Sequence, residues 1–386
     1  MKVLFLTFRY PLPEIGGDYL RINAIANYFK GKGYEVVLFS LFNPKESDLK
    51  ACNSFYDKVY IQRRYSLFSN LYTIVSFFML LPLQLGYFFS LRYLFKLRRI
   101  LKEEKPDLVV AHTIRAAQYL SLLKYNHNCI LEATDALSKT YLQFYQAFNP
   151  LHFNLKQFLY SIEYRRVHRC EQKYISFFRK TVFVSKDDIA FLGDPSNCFS
   201  YPNGVSLANS YKEALPNKIV FVGNLRSLQN EDAVLFFSEK IFPLILHSIP
   251  DARFYIVGAN PSEKVLSLQS DNIIVTGYVP DLISSISDAA LSVAPIRYAA
   301  GIQNKVLVSM AQKIPVVLTS AVSKGIPQLS NGFNCFIKDS PEDFADACIQ
   351  CLTNKSKAAY IAENAYTLVK DNYSWSAALN NYDLFT

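Results

Sequence analysis

The 386-residue sequence has little of what marks several specialised protein classes. Glycine and proline number 13 and 17, which is too few for a collagen-like or low-complexity chain. Only 19% of the residues are charged and 51% are hydrophobic, which excludes an intrinsically disordered chain. The seven cysteines are odd in number and irregularly spaced, as expected in a reducing compartment. The length predicts two domains.

Several functional motifs are also missing. The first apolar run is too short for a secretory signal peptide and ends in Arg-Tyr-Pro without a small-residue cleavage site. No G-x-G-x-x-G follows the first predicted strand, which argues against a dinucleotide-binding enzyme. No helix-turn-helix, zinc-finger or aromatic RNA-binding signature is present, so no nucleic-acid partner is expected. Cys348 and Cys351 form a C-x-x-C without a second pair or a nearby histidine, which predicts packed thiols rather than a metal site.

Charge is unevenly distributed between the two halves of the chain. Residues 1–205 contain 27 Lys and Arg against 16 Asp and Glu, a net charge of +11, whereas residues 206–386 contain 14 and 16, a net charge of −2. A basic half indicates an anionic partner, such as a phosphorylated substrate or a membrane surface. One predicted helix carries mixed charges that are interpreted as a solvated face: Glu163, Arg165, Arg166, Arg169 and Glu171.

Residues 65–91 contain no charged side chain over 27 positions, and basic residues follow soon after. The length suffices for a transmembrane helix of about 20 residues, but Pro82, Gln84 and Gly86 interrupt it. Three interpretations are open: a membrane-spanning helix, an ordinary buried helix pair, or an apolar aromatic surface in the membrane interface beside basic residues that bind anionic lipids.

Strand and helix patterns alternate along the chain. Short apolar runs such as Val3–Thr7 and Lys218–Val222 predict buried parallel strands, each followed by a helix. The pattern restarts after a polar linker, which predicts one domain over 1–205 and a second over 206–370, with a helix at about 371–386 that packs back on the first. The predicted class is α/β, with two Rossmann-like parallel sheets facing across a cleft and ligands beyond the carboxyl ends of the strands.

Two loops are candidate phosphate sites. Gly16 and Gly17 precede the first predicted helix, where exposed backbone N–H groups suit a phosphate or a sugar ring, or else form a plain turn. In the second half a strand ends before Arg297, and a loop through Gly301 leads to a helix with Lys305 near its start. These basic groups form a candidate diphosphate cradle, unless they lie solvated on a surface loop.

Four segments resemble, in the same order, motifs of the retaining GT-B-fold glycosyltransferases of the large glycogen-synthase-like family 4. They are YPNGV at 201–205, VFVGNLRSLQNEDA at 220–233, VTGYVPDL at 275–282 and APIRYAAGIQNKVLVSMAQKIPVV at 294–317. The first half matches more loosely, through the Gly-Gly loop, the strand that ends at His112, TDALS at 134–138 and SKDD at 185–188. Within the family the pattern is most similar to bacterial sugar transferases for surface polysaccharides, lipopolysaccharide or exopolysaccharide.

The resemblance implies transfer of a sugar from a UDP- or GDP-type nucleotide-sugar to a glycan or lipid-linked acceptor, with retained anomeric configuration. The enzyme would be cytoplasmic and peripheral on the inner face of the cell membrane. Tyr278 and Val279 would lie near the nucleotide base, and Gly16 and Gly17 would approach the phosphates and the sugar. The other donor-binding residues would surround the diphosphate: Gly223, Asn224, Arg226, Arg297, Gly301 and Lys305.

The first half contributes two candidate catalytic residues. The resemblance implies that His112 would reach the transferred sugar. Asp135 follows a predicted strand, where it would either bind or deprotonate the acceptor or else cap a helix. The leaving diphosphate develops negative charge as the glycosidic bond breaks, so positive groups around it lower the barrier. With Arg and Lys in that role, no metal or other cofactor is required, and no acidic D-x-D triplet is present to hold a metal.

Two departures from the family pattern bear on activity. The family's Glu-x7-Glu motif, whose second carboxylate holds the donor ribose, falls on Ala300 and Val308. The Arg and Lys that often follow the glycine of V-G-R are Asn224 and Gln229 here. Loss of a ribose contact would weaken donor binding by about 1–3 kcal/mol. The alternative function is therefore a catalytically degenerate homologue that binds a glycan or a partner protein.

Overall fold

The computed structural model describes residues 1–8, 17–42, 55–146, 155–208, 212–298, 302–380 and 382. The chain divides into two compact units. The first contains Met1–Asn203 together with the C-terminal residues from Ala378 onward, and the second is Gly204–Ala377.

The first unit is built on a parallel sheet. Its described strands are β1 Lys2–Thr7, β2 Glu35–Leu41, β3 Lys58–Gln62, β4 Leu108–His112, β5 Cys129–Thr134, β6 Lys180–Phe183 and β7 Cys198–Ser200. They are ordered β3-β2-β1-β4-β5-β6-β7 in the sheet. Leu4 of β1 pairs with Val37 of β2 and Val109 of β4. The central strands are almost wholly apolar because helices cover both faces of such a sheet.

The helices of the first unit connect these strands and cover the sheet. They are α1 Gly17–Gly31, α2 Ser66–Phe78, α3 Leu83–Tyr87, α4 Leu91–Glu104, α5 Thr113–Leu122, α6 Leu137–Gln146, α7 Leu155–Phe177 and α8 Lys186–Phe191. An apolar core joins β1, β2 and β4 to α4, α5 and α7, with Tyr93 and Tyr119 among its fully buried side chains.

The second unit repeats the design with a second parallel sheet. Its described strands are β8 Lys218–Val222, β9 Arg253–Val257, β10 Ile273–Gly277, β11 Leu291–Ala294, β12 Val316–Leu318 and β13 Phe336–Ile337. Their order is β10-β9-β8-β11-β12-β13. The predicted α/β class with two Rossmann-like parallel sheets is confirmed, and in each unit the carboxyl ends of the strands share one edge.

The helices of the second unit are mostly short, and its long helices lie near the C-terminus. They are α9 Leu228–Phe236, a π-helical turn Phe237–Ile241, α10 Phe242–Ser248, α11 Glu263–Leu266, α12 Leu282–Ile286, α13 Asn304–Ala311, α14 Ser320–Ser323, α15 Pro341–Thr353, α16 Lys355–Asn372 and α17 Trp375–Ala378. The C-terminal helix predicted over about 371–386 is therefore shorter than expected, since turn residues follow Ala378.

A buried polar network fixes the C-terminal segment within the first unit. Tyr382 donates a hydrogen bond to Glu132 Oε2 over 2.5 Å, and Arg21 Nε donates to Glu132 Oε1 over 2.7 Å. Both Arg21 and Glu132 have fully buried side chains. The Lys180 ammonium donates to the carbonyl of Tyr382 and lies 5.1 Å from the centre of its ring. The carboxylate is thus paired and hydrogen-bonded, as a buried charge requires.

The uncharged segment 65–91 forms the helices α2 and α3, which pack closely on each other. A Cβ atom at Gly86 would lie 2.3 Å from Ser76 Oγ and 2.3 Å from the carbonyl oxygen of Tyr72, so only glycine allows this approach. The expectation of an ordinary buried helix pair is wrong, because most large apolar side chains of α2 are exposed. Among the described residues, no helix combines the length and apolarity that crossing a bilayer needs.

The charged helix face predicted at Glu163–Glu171 also differs from expectation. Glu163, Arg166 and Glu171 are buried. Arg166 pairs with Glu163 over 3.3 Å and donates to the carbonyl of Phe77, so it joins α7 to the end of α2. The sequence pattern missed this because mixed charges on a helix look the same whether water or another helix covers them.

Candidate functional site

The loops at the carboxyl edge of the second sheet come together around two glycines. Gly223 N–H, just after β8, donates to the carbonyl of Val257, and Gly258 N–H donates to that of Gly277. A Cβ atom at Gly258, whose φ is +157°, would lie 1.7 Å from the carbonyl oxygen of Gly223. No other residue type fits at 258, so the ends of β8, β9 and β10 are held together at this edge.

Lys305 reaches this edge from the first turn of α13. Its ammonium donates to Asn230 Oδ1, and Asn230 Nδ2 donates over 2.8 Å to the carbonyl of Asn224 in the loop after β8. The ammonium also lies 4.8 Å from the centre of the Phe221 ring. Burial lowers the pKa of Lys305 to about 8. Two predicted donor-binding residues, Asn224 and Lys305, are therefore connected through a third residue on α9.

Arg297, after β11, forms the second cationic position. Its guanidinium donates from Nε to Asp232 Oδ2 over 3.0 Å and from Nη2 to Asp232 Oδ1. The hydrogen bonds to Asp232 hold the pKa of Arg297 above its ordinary value. The guanidinium lies 4.8 Å from the centre of the Phe236 ring. This bidentate pair fixes the orientation of an exposed side chain at the same helix, α9.

The first turns of α9 thus supply a partner to each cation, and the sequence reasoning did not identify those partners. Neither Asn230 nor Asp232 stands out in the sequence as a candidate site residue. A third contact of the same kind joins Gln229 Nε2 to Gln303 Oε1 over 3.3 Å. Three residues of α9 thus contact three residues of the 297–305 segment, in the pairs Gln229–Gln303, Asn230–Lys305 and Asp232–Arg297. These pairs could be found only by knowing that α9 faces this segment.

The other predicted donor-binding residues of the second unit differ in exposure. Asn224 Oδ1 accepts a hydrogen bond from the backbone N–H of Arg226, whose side chain is exposed. Tyr278 follows β10 and is exposed, whereas Val279 packs against an apolar cluster that includes Val257. Val308, which stands where the family has its second Glu, packs against the same cluster. An apolar surface therefore replaces a carboxylate at this position.

Three of the predicted positions cannot be placed in this way. Gly16, Ala300 and Gly301 lie outside the described residues. Gly17 is the first residue of α1. Within the described ranges, no group of three or more His, Cys, Asp and Glu side chains is arranged to hold a metal ion.

In the first unit, the candidate catalytic residues lie at the carboxyl ends of β4 and β5. His112 is the buried last residue of β4, and Asp135 follows β5 with an exposed side chain. A cavity of about 120 Å³ opens here. Its lining is mostly polar or charged: Gln84, Thr113, Ile114, Arg115, Ala133, Thr134, Asp135, Leu137 and Thr140. Asp135 therefore lines the cavity, and His112 immediately precedes Thr113, which also lines it.

Two threonines of this cavity have strained backbones. Thr113 has φ +66° and Thr134 has φ +70°, a left-handed conformation that β-branched residues rarely adopt. Arg115 donates from Nε to Gln84 Oε1 over 3.2 Å, and its guanidinium lies 4.7 Å from the centre of the Phe88 ring. Such strain is characteristic of functional sites, where the surrounding structure fixes groups in a working geometry.

The residue that follows the TDALS motif contacts the SKDD motif. Lys139 pairs with Asp188 over 2.8 Å. Ser138 donates from Oγ to Glu171 Oε2 and from its backbone N–H to Oε1. Burial raises the pKa of Glu171 to about 7 despite these hydrogen bonds. These contacts fix the start of α6, immediately after Asp135.

Comparisons with known proteins agree with this geometry. The family model described as Glycosyltransferase Family 4 matches residues 16–208, and the one described as Glycosyl transferases group 1 matches residues 216–354. An uncharacterized 44.6 kDa protein in the cps region of Klebsiella pneumoniae is 25% identical over 395 residues, which cover 96% of both chains.

Solved structures share the fold at low sequence identity. Anabaena Alr3699/HepE in complex with UDP superposes with a TM-score of 0.62 at 14% identity, over 98% of this chain and 97% of that one. The lipopolysaccharide outer core galactosyltransferase WaaB, in its apo form, gives a TM-score of 0.55 at 13% identity, over 99% and 98% of the two chains. The GT-B fold expected from the sequence is therefore confirmed.

Proposed function

The chain belongs to glycosyltransferase family 4, and from this we propose that it transfers a sugar from a UDP- or GDP-type nucleotide-sugar to a lipid-linked oligosaccharide or polysaccharide, with retention of anomeric configuration. The donor part rests on one observation: Lys305 and Arg297 each bind a side chain of α9 at the carboxyl edge of the second sheet. HepE, which shares the fold, has been crystallised with UDP and with UDP-glucose.

The two cations suit a leaving diphosphate in different ways. Asp232 accepts from the Nε and Nη2 atoms of Arg297, which leaves the Nη1 side of the guanidinium to donate to a phosphate oxygen. Lys305 is half-buried, so its charge acts through a less polar medium than water. Both charges are fixed before the donor binds, and preorganised charge lowers the barrier as the glycosidic bond breaks.

The donor ribose would be held without the family's second carboxylate. Val308 and Val279 offer an apolar surface where that carboxylate would otherwise accept hydrogen bonds from the ribose hydroxyls. Donor binding therefore depends more on the diphosphate contacts than in relatives that keep the Glu. This makes Lys305 and Arg297 the decisive residues for donor affinity.

The acceptor side is assigned to the first unit, at the cavity beyond β4 and β5. Asp135 supplies a carboxylate, and Thr113 and Thr140 supply hydroxyl groups, which are the side chains that bind sugar hydroxyls. No protein nucleophile is required, because the leaving diphosphate itself can accept the proton of the acceptor. His112 lies next to Thr113 and would contact the transferred sugar.

A lipid-linked acceptor at a membrane surface is favoured by the first unit's charge and apolar exposure. The first 205 residues carry a net charge of +11, and α2 exposes large apolar side chains. Among the similar proteins, one is encoded in a cps region and another is a lipopolysaccharide galactosyltransferase. These names support a role in bacterial surface-polysaccharide synthesis, which we assign to the cytoplasmic face of the membrane on the charge and apolar exposure of the first unit.

A donor screen tests the proposal. The purified protein is incubated with a panel of UDP- and GDP-sugars and crude lipid-linked acceptor, and nucleotide release is followed, alongside calorimetric titration with UDP and GDP. We expect one nucleotide to bind with micromolar affinity and its sugar to be transferred only when acceptor is present. Absence of binding to every nucleotide diphosphate would instead support a degenerate homologue that binds a glycan or a partner protein.

A further inference from the structure

Helix α2 is oriented opposite to the usual amphipathic helix. The residues it buries are serines, Ser69 and Ser76, of which Ser69 is 1% exposed. Its outward face carries large apolar side chains spaced four, three and four positions apart. They are Leu67 (77% exposed), Leu71 (54%), Ile74 (56%) and Phe78 (78%). A helix that exposes such a stripe requires a partner to cover it, and the described part of this chain does not supply one.

The apolar surface continues into the turn that joins α2 to α3. Phe78, Met79, Leu80 and Leu81 are all exposed there. Leu80 has φ +56°, a conformation that is unfavourable for a leucine. We call Phe78–Leu81 the apolar tip. A bulky residue kept exposed in a strained backbone conformation indicates that its presentation has a function.

The apolar tip is held firmly at both ends by α7. Arg166 donates from Nη2 to the carbonyl of Phe77 over 3.1 Å, just before the tip. Glu163 accepts a hydrogen bond from the backbone N–H of Leu83 over 2.9 Å, just after it. Because these buried charged groups fix the tip, its exposed side chains are presented on a rigid support.

The charged residues that flank this surface in the sequence all have one sign. Between Asp57 and Glu103 the sequence contains eight basic residues and no acidic one. The basic residues lie on both sides of the apolar stretch: Lys58, Arg63, Arg64, Arg92, Lys96, Arg98, Arg99 and Lys102. Lys58 and Arg99 pair with glutamates outside this range. An apolar face flanked by such a basic stretch complements an anionic surface that has an apolar interior.

A pocket of about 280 Å³ lies beside α2, where α4 begins. It is lined by Arg64, Tyr65, Phe68, Ser69, Tyr72, Phe89, Ser90, Leu91 and Arg92. The Arg64 guanidinium lies 4.4 Å from the centre of the Tyr87 ring, and that of Arg92 lies 5.5 Å from the centre of the Tyr65 ring. Two arginines thus line one pocket together with aromatic side chains, and the planar guanidinium matches the geometry of a phosphate.

We propose that the α2 stripe and the apolar tip insert into the interfacial region of a bilayer, and that Arg64 and Arg92 bind the phosphate of an anionic phospholipid in the adjoining pocket. The occupant is a membrane rather than a protein, because an extended apolar face is flanked in sequence by basic residues, and Glu163, the acidic residue that contacts the end of the tip, is buried in a pair with Arg166. This inference deepens the membrane-bound acceptor of the proposed function, but lipid binding itself requires no nucleotide-sugar chemistry.

Vesicle binding of the full chain tests the inference. Cosedimentation at low salt is compared for phosphatidylcholine vesicles with and without phosphatidylglycerol. We expect binding only to the anionic vesicles, weakened by salt. The double variant Arg64→Gln/Arg92→Gln should lose affinity by about fivefold per arginine, and Leu67→Ser/Phe78→Ser by about tenfold.

Matched controls come from the second unit. Lys240→Gln/Lys355→Gln removes two exposed charges, and Leu266→Ser removes an exposed leucine. These variants should bind vesicles as the unaltered protein does. Thermal unfolding of each variant checks that its fold is intact.

A second measurement keeps an apolar residue at the tip, so it detects insertion by a gain of signal and not by a loss of binding. The chain has one tryptophan, Trp375, in the second unit. The emission of Phe78→Trp should shift to shorter wavelength on anionic vesicles and be quenched by brominated lipid, whereas Tyr360→Trp, at an exposed site of the second unit, should not respond.

Several results would overturn the inference. These are equal binding to neutral vesicles, no binding to either kind, or a Phe78→Trp signal unaffected by lipid. Dimerisation that is abolished by Leu67→Ser/Phe78→Ser, without vesicle binding, would identify a second copy as the occupant. Binding of glycerol 3-phosphate that depends on Arg64 and Arg92, without vesicle binding, would identify a soluble phosphate ligand. Titration of the same samples with UDP and GDP separates this inference from the proposed function, since lipid binding without binding of either nucleotide would overturn only the latter.

Discussion

Lys305 and Asn230 are joined by a side-chain hydrogen bond although 75 residues separate them in the chain. The bond connects the start of α13 to α9, and Asn230 in turn donates to the loop that follows β8. Two elements that border the proposed diphosphate site are thereby fixed relative to each other. If the proposed site is correct, the position and charge state of one ammonium group are central to donor binding.

Removal of that ammonium should weaken the donor site. Lys305→Ala is expected to lower UDP or GDP affinity, or turnover, at least tenfold, because a charge-assisted contact to phosphate contributes about 1.5–3 kcal/mol. Isothermal titration calorimetry measures the affinity. Lys324→Ala, an exposed lysine of the same unit, is the matched control and should behave like the unaltered protein. Near-normal kinetics of Lys305→Ala would contradict the assignment of the diphosphate site.

Donor affinity should depend on pH through Lys305. With a pKa of about 8 in the donor-free protein, its charge is lost as pH rises through that value, so affinity should fall above about pH 8. The bound diphosphate favours the protonated form, so binding near pH 8 should take up protons. Titrations in buffers of different ionisation enthalpy measure this uptake, and no uptake would exclude Lys305 as a phosphate contact.

Asn230→Asp provides a sharper form of the same test. A carboxylate beside Lys305 should raise the pKa of the ammonium and move the loss of affinity to higher pH. It should also weaken binding at every pH, because the new charge repels the diphosphate. Asn364→Asp, at a half-buried position of α16, is the control and should change neither property. An unchanged pH profile in Asn230→Asp would show that another group controls it.

Val308→Glu tests the missing ribose contact. If 308 lies beside the ribose, a carboxylate there should strengthen donor binding by about 1–3 kcal/mol, roughly tenfold to a hundredfold. The same change places charge against an apolar cluster, so a lower melting temperature is expected. Val308→Met keeps the site apolar and should not increase affinity. Weaker donor binding by Val308→Glu in a folded protein would place the ribose elsewhere.

Glu171 should make stability depend on pH. Its pKa in the folded protein is about 7, above the ordinary 4.5, so between these values the native state holds a proton that the unfolded state has released. The free energy of unfolding should therefore decrease as pH rises from about 4.5 to 7. Glu171→Gln should remove this contribution of roughly 1–3 kcal/mol. Urea unfolding across that range measures it, and identical pH profiles would contradict the burial argument.

Tyr382→Phe should destabilise the first unit. The substitution removes the donor to Glu132, a fully buried carboxylate, and a hydrogen bond to a charged group contributes about 1.5–3 kcal/mol. Urea unfolding of the full chain measures the loss. Tyr360→Phe, an exposed tyrosine of the second unit, should have no measurable effect. Equal stability of the two variants would show that the buried network does not need this hydrogen bond.

The sequence predicted the buried strands well and the surface poorly. Lys218–Val222 was predicted with its observed bounds, because an apolar run between polar loops specifies a strand covered on both faces. The edge strands Lys58–Gln62 and Cys198–Ser200 were missed, since they are short and only partly buried, and their pairing depends on backbone hydrogen bonds that any sequence can form.

The residues of the candidate site were likewise only partly predictable from the sequence. The positions of Arg297 and Lys305 near a strand end and a helix start could be inferred from local motifs. Their partners Asp232 and Asn230 could not, because contacts across 65 and 75 residues depend on how α9 packs. The orientation of α2 could not be predicted either, because the spacing of its apolar residues does not reveal which side of the helix the rest of the unit covers.

The burial of Tyr382 also affects the order in which the protein matures on the ribosome. Residues 1–203 are synthesised before the second unit, whereas Tyr382, which completes their Arg21–Glu132 network, is synthesised after it. At elongation rates of 5–20 residues per second, about 10–35 s separate the synthesis of Asn203 from that of Tyr382. During this interval Glu132 lacks one of its native hydrogen-bond donors, so this network is completed only after the second unit has been translated.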